Sequence, residues 1–221
     1  MKMLVEPNEF GIFADYSHNA KTNSLYVAKF FEKDHAHVLR DIERLYCSED
    51  FRQSNFGLTY YHDDQGKKRP CVEMSRDGFW FLAMGYKGQK AAAIKETFLK
   101  KFNEMEQFIV KLSVVKDDFA TLTDGIRTVY GDDAPQYVYS NENNLLNSII
   151  TGMSTKKFRE LHNIPKGESI RPNLTAEQLA ALDKLQKVDT GLLLSTPDYK
   201  TRKRLLQEYY DKLQSAKSDC A

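Results

Sequence analysis

The sequence predicts an α+β fold: a helix-turn-helix, a β-hairpin and a long helix in the N-terminal half, followed by an all-α C-terminal module. Three observations carry this. Residues 24–45, SLYVAKFFEKDHAHVLRDIERL, read as two short amphipathic helices joined by a turn. Residues 60–70, YYHDDQGKKRP, read as a basic hairpin tip. From Gln89 to Leu112, apolar residues recur along one helical stripe.

Residues 10–20 are expected to form a short strand and turn that pairs with the hairpin. The first helix is expected to start at Ser24 as N-cap, with Leu25, Ala28 and Phe31 packing on the second. Lys33, Asp34 and His35 form the turn. In the second helix, at about 100° per residue, Val38, Leu39, Ile42 and Leu45 share one side, and His37, Arg40, Asp41 and Arg44 the other. Arginine reads guanine bidentately or holds a phosphate, and histidine does either more weakly. Asp41 would accept from cytosine or pair with Arg44. An amphipathic helix pair with a solvated charged face explains the same pattern without DNA.

The hairpin favours the nucleic-acid reading. Phe56–His62 suits a strand, Asp63-Asp64-Gln65-Gly66 a turn, and Cys71–Met74 the return strand. Lys67, Lys68 and Arg69 at the tip form a phosphate clamp, although Asp63 and Asp64 partly neutralise them and a solubilising loop would look similar. Helix-turn-helix followed by a basic hairpin is the plan of a winged helix-turn-helix, with the hairpin as wing.

Ser75 then caps an aromatic helix, FWFLAMGY, broken by Gly85 and Gly88. The long helix Gln89–Leu112 carries Ala92, Phe98, Phe102, Met105, Phe108, Ile109 and Leu112 mostly on one stripe. That stripe predicts core packing or a homodimer contact. The first domain is therefore 1–112, with a linker at 113–118. A helical domain at 119–221 follows, with helices near Phe119–Tyr130, Glu142–Thr151, Thr155–His162, Ala176–Val188 and Tyr199–Gln214. Gly131–Tyr139 reads as a loop or short strand. Ser154 is an N-cap, and Thr175 with Gln178 a capping box. Asn144–Ile150 and Ser154–His162, with Lys156, Lys157 and Arg159 outward, hint at a second helix-turn-helix. A protein-interaction module, with Tyr199, Tyr209 and Tyr210 as contact candidates, is the preferred reading.

Composition sets the frame. The 221 residues are 41% apolar, enough for packed cores, and the net charge of +1 alone does not imply nucleic acid. Its distribution does: Lys67, Lys68, Arg69, Arg76, Lys87, Lys90, Lys95, Lys100 and Lys101 face only Glu73, Asp77 and Glu96 between 67 and 101. Cys47, Cys71 and Cys220 have no CxxC spacing, which predicts a reduced, cytoplasmic chain. The N-terminus MKMLVEPNEF lacks the apolar run of a signal peptide, and no segment has the length of a membrane span.

No enzyme is expected, and no cofactor or metal. Asp63, Asp64, Glu73 and Arg76 echo a nuclease site without its E-x-K element. His35, His37, His62, Cys47 and Cys71 lack ligand spacing, His162 reads as a cap or surface residue, and no P-loop, dinucleotide or G-x-S-x-G motif occurs.

Several blocks in order resemble the Rha-type phage regulatory proteins across residues 22–106: TNSLYVAKFF, HAHVLRDIERL, CSEDFRQSNF, the Gly66–Pro70 tip, MSRDGFWFLAMGYKGQKA and FLKKFNEME. Ser75 stands where that family usually has threonine. LLNSIITGMSTKKFRELHNI, SIRPNLTAEQL, LQKVDTGLLL and RKRLLQEYYDKL resemble a helical module attached to some phage proteins. The resemblance implies a phage or prophage regulator in the bacterial cytoplasm that binds DNA through its N-terminal domain. Residues alone assign the roles: His37, Arg40 and Arg44 in the major groove, Lys67, Lys68 and Arg69 on flanking backbone, and Lys33 and His35 holding phosphates at the turn. The expected partner is double-stranded DNA bound by a homodimer. The alternative is an antirepressor or adaptor that binds a host or phage protein through 119–221.

Overall fold

A computed structural model describes residues 3–196 and 198–218. Cys220 lies outside them. The chain divides into units 1–109 and 110–221. The architecture is α+β: a small antiparallel sheet near the N-terminus, then a mostly helical remainder.

In the first unit, β1 (Phe13–Ala14) and β2 (Ala20–Asn23) form a short ladder, and β2 leads directly into α1 (Ser24–Phe30). Asn23 makes that transition. Its backbone is extended, and its side-chain oxygen accepts from the N–H groups of Leu25 and Tyr26 at 3.0 and 3.1 Å. Ser24, expected as the cap, is instead the first helical residue, and its hydroxyl turns inward. Glu32 follows α1 in the left-handed region at φ 51°, so the chain reverses without a glycine. Asp34 then caps α2 (His35–Glu43) by accepting from Ala36 N–H at 2.8 Å.

A short helix α3 (Glu49–Asn55), capped by Ser48, precedes the hairpin of β3 (Phe56–His62) and β4 (Lys68–Ser75). The sheet order is β1-β2-β4-β3, so β2 rather than β1 pairs with the hairpin, and β3 is the outer strand. The ladder runs from Phe56 opposite Met74 to His62 opposite Lys68. The return strand thus starts three residues before the expected Cys71 and takes in Pro70. Ser75 caps α4 (Arg76–Met84) as expected. A Cβ on Gly78 would stand 2.7 Å from the Asn55 carbonyl, so only glycine lets α4 seat this close to the end of α3.

The helix α5 (Gln89–Tyr130) is continuous over 42 residues. Ser113–Asp118, expected as a linker, lies inside it: nothing in SVVKDD breaks a helix, and Val115 is buried. Up to Ile109 its stripe fills the core of the first unit. Phe98 stacks on Phe79 at 4.4 Å between ring centres and meets Phe10 and Phe30 edge-on at 5.9 and 5.6 Å. Phe102, Met105 and Ile109 are buried in the same core, so most of the stripe read as core or dimer contact serves this unit.

In the second unit come α6 (Gln136–Thr151), α7 (Thr155–Leu161), a 3-10 turn at Arg171–Asn173, α8 (Ala176–Ser195) and α9 (Tyr199–Ser218). The expected loop at 131–139 contains the first turn of α6. Gly152, at φ 68°, ends that helix, and Thr175 and Gln178 close α8's capping box. No described helix is long and apolar enough to cross a membrane.

Candidate nucleic-acid interface

The second helix presents a clean outward face. Val38 and Ile42 are buried, while His37, Arg40 and Arg44 are exposed. Spacings of three and four put these three on one stripe. Asp41 does not neutralise it. Its carboxylate takes the Lys33 ammonium at 2.9 Å rather than Arg44. Lys33 also lies 4.1 Å from the centre of the Tyr86 ring. It is thus an internal brace between the turn, α2 and Tyr86, not the free phosphate holder expected.

His35 is turned inward as well. Its Nε2 lies 2.9 Å from the Ser24 hydroxyl, and its ring meets Tyr61 of β3 edge-on at 5.8 Å. Ser24 accepts from Val72 N–H of β4 at 3.0 Å and stands 3.4 Å from Cys71 Sγ. One buried hydroxyl therefore ties the starts of α1 and α2 to the hairpin. Burial pushes the imidazole pKa down against the opposing pull of Asp34. Ser24 and the His35 Nε2 share one hydrogen bond whose donor follows the imidazole tautomer, while Ser24 accepts from Val72 N–H.

The stability consequence has a definite sign. Because the folded pKa is below the unfolded value of 6.5, the unfolded chain binds more protons between the two. Stability is fully present above 6.5 and falls as acid takes pH down through the folded pKa. His35→Gln is expected to flatten this dependence. The check is urea unfolding between about pH 7.5 and 5, followed by fluorescence of Trp80, the one tryptophan of the chain.

Sequence reasoning missed Arg52. From α3 its guanidinium donates to the carbonyls of Ile42 at 3.0 Å and Leu45 at 2.5 Å. It thus satisfies the open C-terminal end of α2 and fixes that helix at the opposite end from His35. The only local signal is the capped, acid-led start Ser48-Glu49-Asp50 of a helix with no buried residue.

At the hairpin tip, Asp63 accepts from Gln65 and Lys67 N–H, and Gly66 takes φ 74°. Its other oxygen takes Arg69 Nε at 2.9 Å, which holds the Asp63 carboxyl below its usual range. Lys67, Lys68 and Arg69 are all exposed. Arg69 is held by the turn's acid, Lys68 lies 4.2 Å over the Tyr60 ring, and among the described residues no carboxylate stands within ion-pair distance of Lys67. Leu58 and Tyr60 alternate outward on β3, 67% and 50% exposed, an apolar addition beside the cations that sequence reading did not single out.

The residues weighed for enzyme chemistry do not converge. Asp63 is spent in the turn, Arg76 pairs with Glu106 of α5 at 2.8 Å, and burial raises the Glu73 carboxyl. Among the described residues, no group of three histidines, cysteines or carboxylates is placed to hold a metal. In the second unit, Lys156 and Lys157 are exposed, whereas Arg159 donates to the Pro165 carbonyl at 2.7 Å. His162 ends α7 and stacks on Phe158. Tyr199 is 43% exposed, while Tyr210 is half-buried with its hydroxyl on the Ile150 carbonyl.

Residues 22–107 match the family model of phage regulatory protein Rha, over the same stretch as the resemblance. An uncharacterized protein of Haemophilus influenzae is 40% identical over 89 residues, 39% of this chain and 51% of the relative. An uncharacterized 22.8 kDa protein from the gp15–gp3 intergenic region of Salmonella phage P22 is 39% identical over 95 residues, 42% of this chain and 47% of the relative. The chain spans about half the length of these curated relatives, and the stretch matched by the family model, residues 22–107, contains α1 to α4, the hairpin and the aromatic stretch of α5.

Proposed function

We propose that this protein is a phage or prophage transcriptional regulator that binds duplex DNA through its N-terminal unit, acting as a homodimer in the bacterial cytoplasm. The helix α2 enters the major groove with His37, Arg40 and Arg44, and the β3–β4 hairpin lies on flanking backbone with Lys67, Lys68 and Arg69. This is the winged helix-turn-helix use of the unit. One observation supports it above the rest: Asp41, the acid in the middle of the α2 stripe, is taken by Lys33, and His37, Arg40 and Arg44 stay exposed on one face, with Lys67 and Lys68 exposed at the hairpin tip, where Asp63 holds Arg69. Lys33 and His35 act as supports for that face. The match to the Rha model over the same residues agrees with a regulator.

Selection from a random duplex library at about 150 mM salt tests the reading, because non-specific phosphate binding weakens steeply there. A palindromic motif with half-sites about 34–36 Å apart is the expected product. Arg40→Ala is expected to cost about 1–3 kcal/mol and relax one base position, whereas Lys67→Ala weakens all sequences alike and lowers the salt slope by about 1. Two variants that leave retention unchanged would place the contact elsewhere.

A second reading has its own support. Leu161, Leu194 and Tyr199 of the second unit are 66%, 59% and 43% exposed, an outlay of apolar surface that suits a protein contact. An antirepressor or adaptor would lose its partner on Leu161→Glu or Leu194→Glu and keep DNA retention. A DNA reader would show neither loss.

A further inference from the structure

In the second unit, the segment between α7 and α8 lines a cavity of about 220 Å³. Phe119, Asn143, Asn147, Arg159, Glu168 and Arg171 are among the residues around it. The Arg171 guanidinium stacks on the Phe119 ring at 4.8 Å. No carboxylate lies within ion-pair distance of it among the described residues, and burial alone pulls its pKa down. A partly buried arginine commonly has an anion beside it.

Arg159 reaches the cavity from α7, held by one nitrogen on the Pro165 carbonyl, with its remaining donors unassigned. Asn147, 2% exposed, also lines the cavity, and its side-chain oxygen is buried without a hydrogen-bond partner. Two guanidinium groups in the lining and one buried amide oxygen without a donor suit an anion that keeps a hydroxyl. A carboxylate meets only the first demand. A phosphate monoanion meets both. Glu168, the one carboxylate in the lining, limits the site's net charge to about that of a single anion.

Arg159 also borders a second, larger cleft of about 950 Å³, lined by Asn141, Asn144, Ser148 and Tyr199. Its amides and hydroxyl suit the polar remainder of a ligand, and the Tyr199 ring offers a stacking face. We propose that the C-terminal unit binds a phosphorylated small molecule, with the phosphoryl group between Arg159 and Arg171 and the polar body in the adjoining cleft. The regulator would thereby carry a ligand-sensing half. This inference does not depend on the DNA reading.

The test uses the full chain, with inorganic phosphate and a nucleoside monophosphate as probes. Phosphorus NMR and calorimetry are expected to show saturable binding of both, tighter for the nucleotide. Arg171→Gln and Arg159→Gln should each weaken it about tenfold or more, as loss of a charge-assisted contact does. Lys157→Gln, an exposed charge outside the lining, should leave it unchanged. Circular dichroism shows whether each variant is folded, and Ser169→Ala, a smaller change in the same lining, should weaken binding in a chain that keeps its fold. Absence of saturable binding up to about 10 mM overturns the proposal, since a formed site exceeds that affinity. So does equal loss in Lys157→Gln. Weaker duplex retention by Arg171→Gln without nucleotide binding also overturns it, and assigns the arginine to backbone phosphate.

Discussion

Arg202→Met is expected to destabilise the C-terminal unit by about 3–5 kcal/mol near neutral pH, because it removes the one cation from a buried ionic cluster. Arg202 of α9 is 1% exposed, Glu142 of α6 is 2% and Asp189 of α8 is fully buried. Its guanidinium pairs directly with Glu142 and lies 3.7 Å from Asp189. Three helices therefore meet on a single positive charge. Methionine fills similar space, so the loss is electrostatic: two carboxylates remain in the core with nothing to offset their desolvation. Since a domain's total stability is about 5–15 kcal/mol, much of it is at stake. Urea unfolding followed by far-UV circular dichroism reads the effect. A loss below about 1 kcal/mol would mean that water reaches the cluster and screens it.

The cluster holds one base too many for its cation, and this gives it a pH dependence. Burial, reinforced by the neighbouring Glu142 carboxylate and opposed by Arg202, pushes Asp189 up from 3.8 to about 7. Burial also raises Glu142. The folded unit thus holds a proton that the unfolded chain releases near 3.8. This stabilisation is complete below that value and is lost as pH rises through about 7. Asp189→Asn keeps the Glu142–Arg202 pair and removes the surplus charge, so its stability should vary less between about pH 5 and 8. His35 imposes the opposite slope on the first unit, where acid destabilises. Fluorescence of Trp80 and far-UV signal should therefore shift in opposite directions over the same pH range.

What sequence could predict follows from the range of the interactions involved. The hairpin turn, the Ser75 cap, the capping box of α8 and the core stripe of α5 depend on neighbours within a few positions or on strict periodicity. Each is found where its pattern placed it, except that Ala91 rather than Ala92 starts the buried stripe and Ala92 is exposed. The cap of α1, expected at Ser24, is Asn23, one place earlier and equally a cap-type residue. Contact with Val72, forty-eight positions away, claims Ser24 for the interior. Lys33 and His35 read as surface cations because Asp41, Tyr86, Ser24 and Tyr61 approach them only after folding. Ser113–Asp118 was expected as a linker although it holds no helix breaker, and α5 runs through it. Glu142, Asp189 and Arg202 had no local signature: each sits among ordinary helical residues, and only the packing of α6, α8 and α9 unites them.

Phe98→Ala is expected to cost the N-terminal unit about 3–5 kcal/mol, the range for a fully enclosed aromatic. The ring is completely buried, stacked on Phe79 of α4 and enclosed by Phe10, Phe30, Phe31 and Phe102. Collapse around the hole is limited, because each of those rings is held by another: Phe10 on Phe30 at 5.0 Å, Phe31 on Tyr86 at 4.9 Å. Phe98→Leu should recover about half of the loss, since it restores volume but not ring contacts. The functional result separates support from recognition. Phe98 touches Phe30 of α1 and Phe31 just after it, and no ring or cation contact joins it to the outward cations of α2 among the described residues. Under conditions where Phe98→Ala remains folded, its affinity for a selected DNA site should equal that of the parent chain, and on warming it should fall with the Trp80 transition. Arg40→Ala should show the reverse, weaker binding at every temperature with an unmoved transition. Should the two variants behave alike, the charged face of α2 would be acting through stability, and the groove-reading role assigned to Arg40 would be withdrawn.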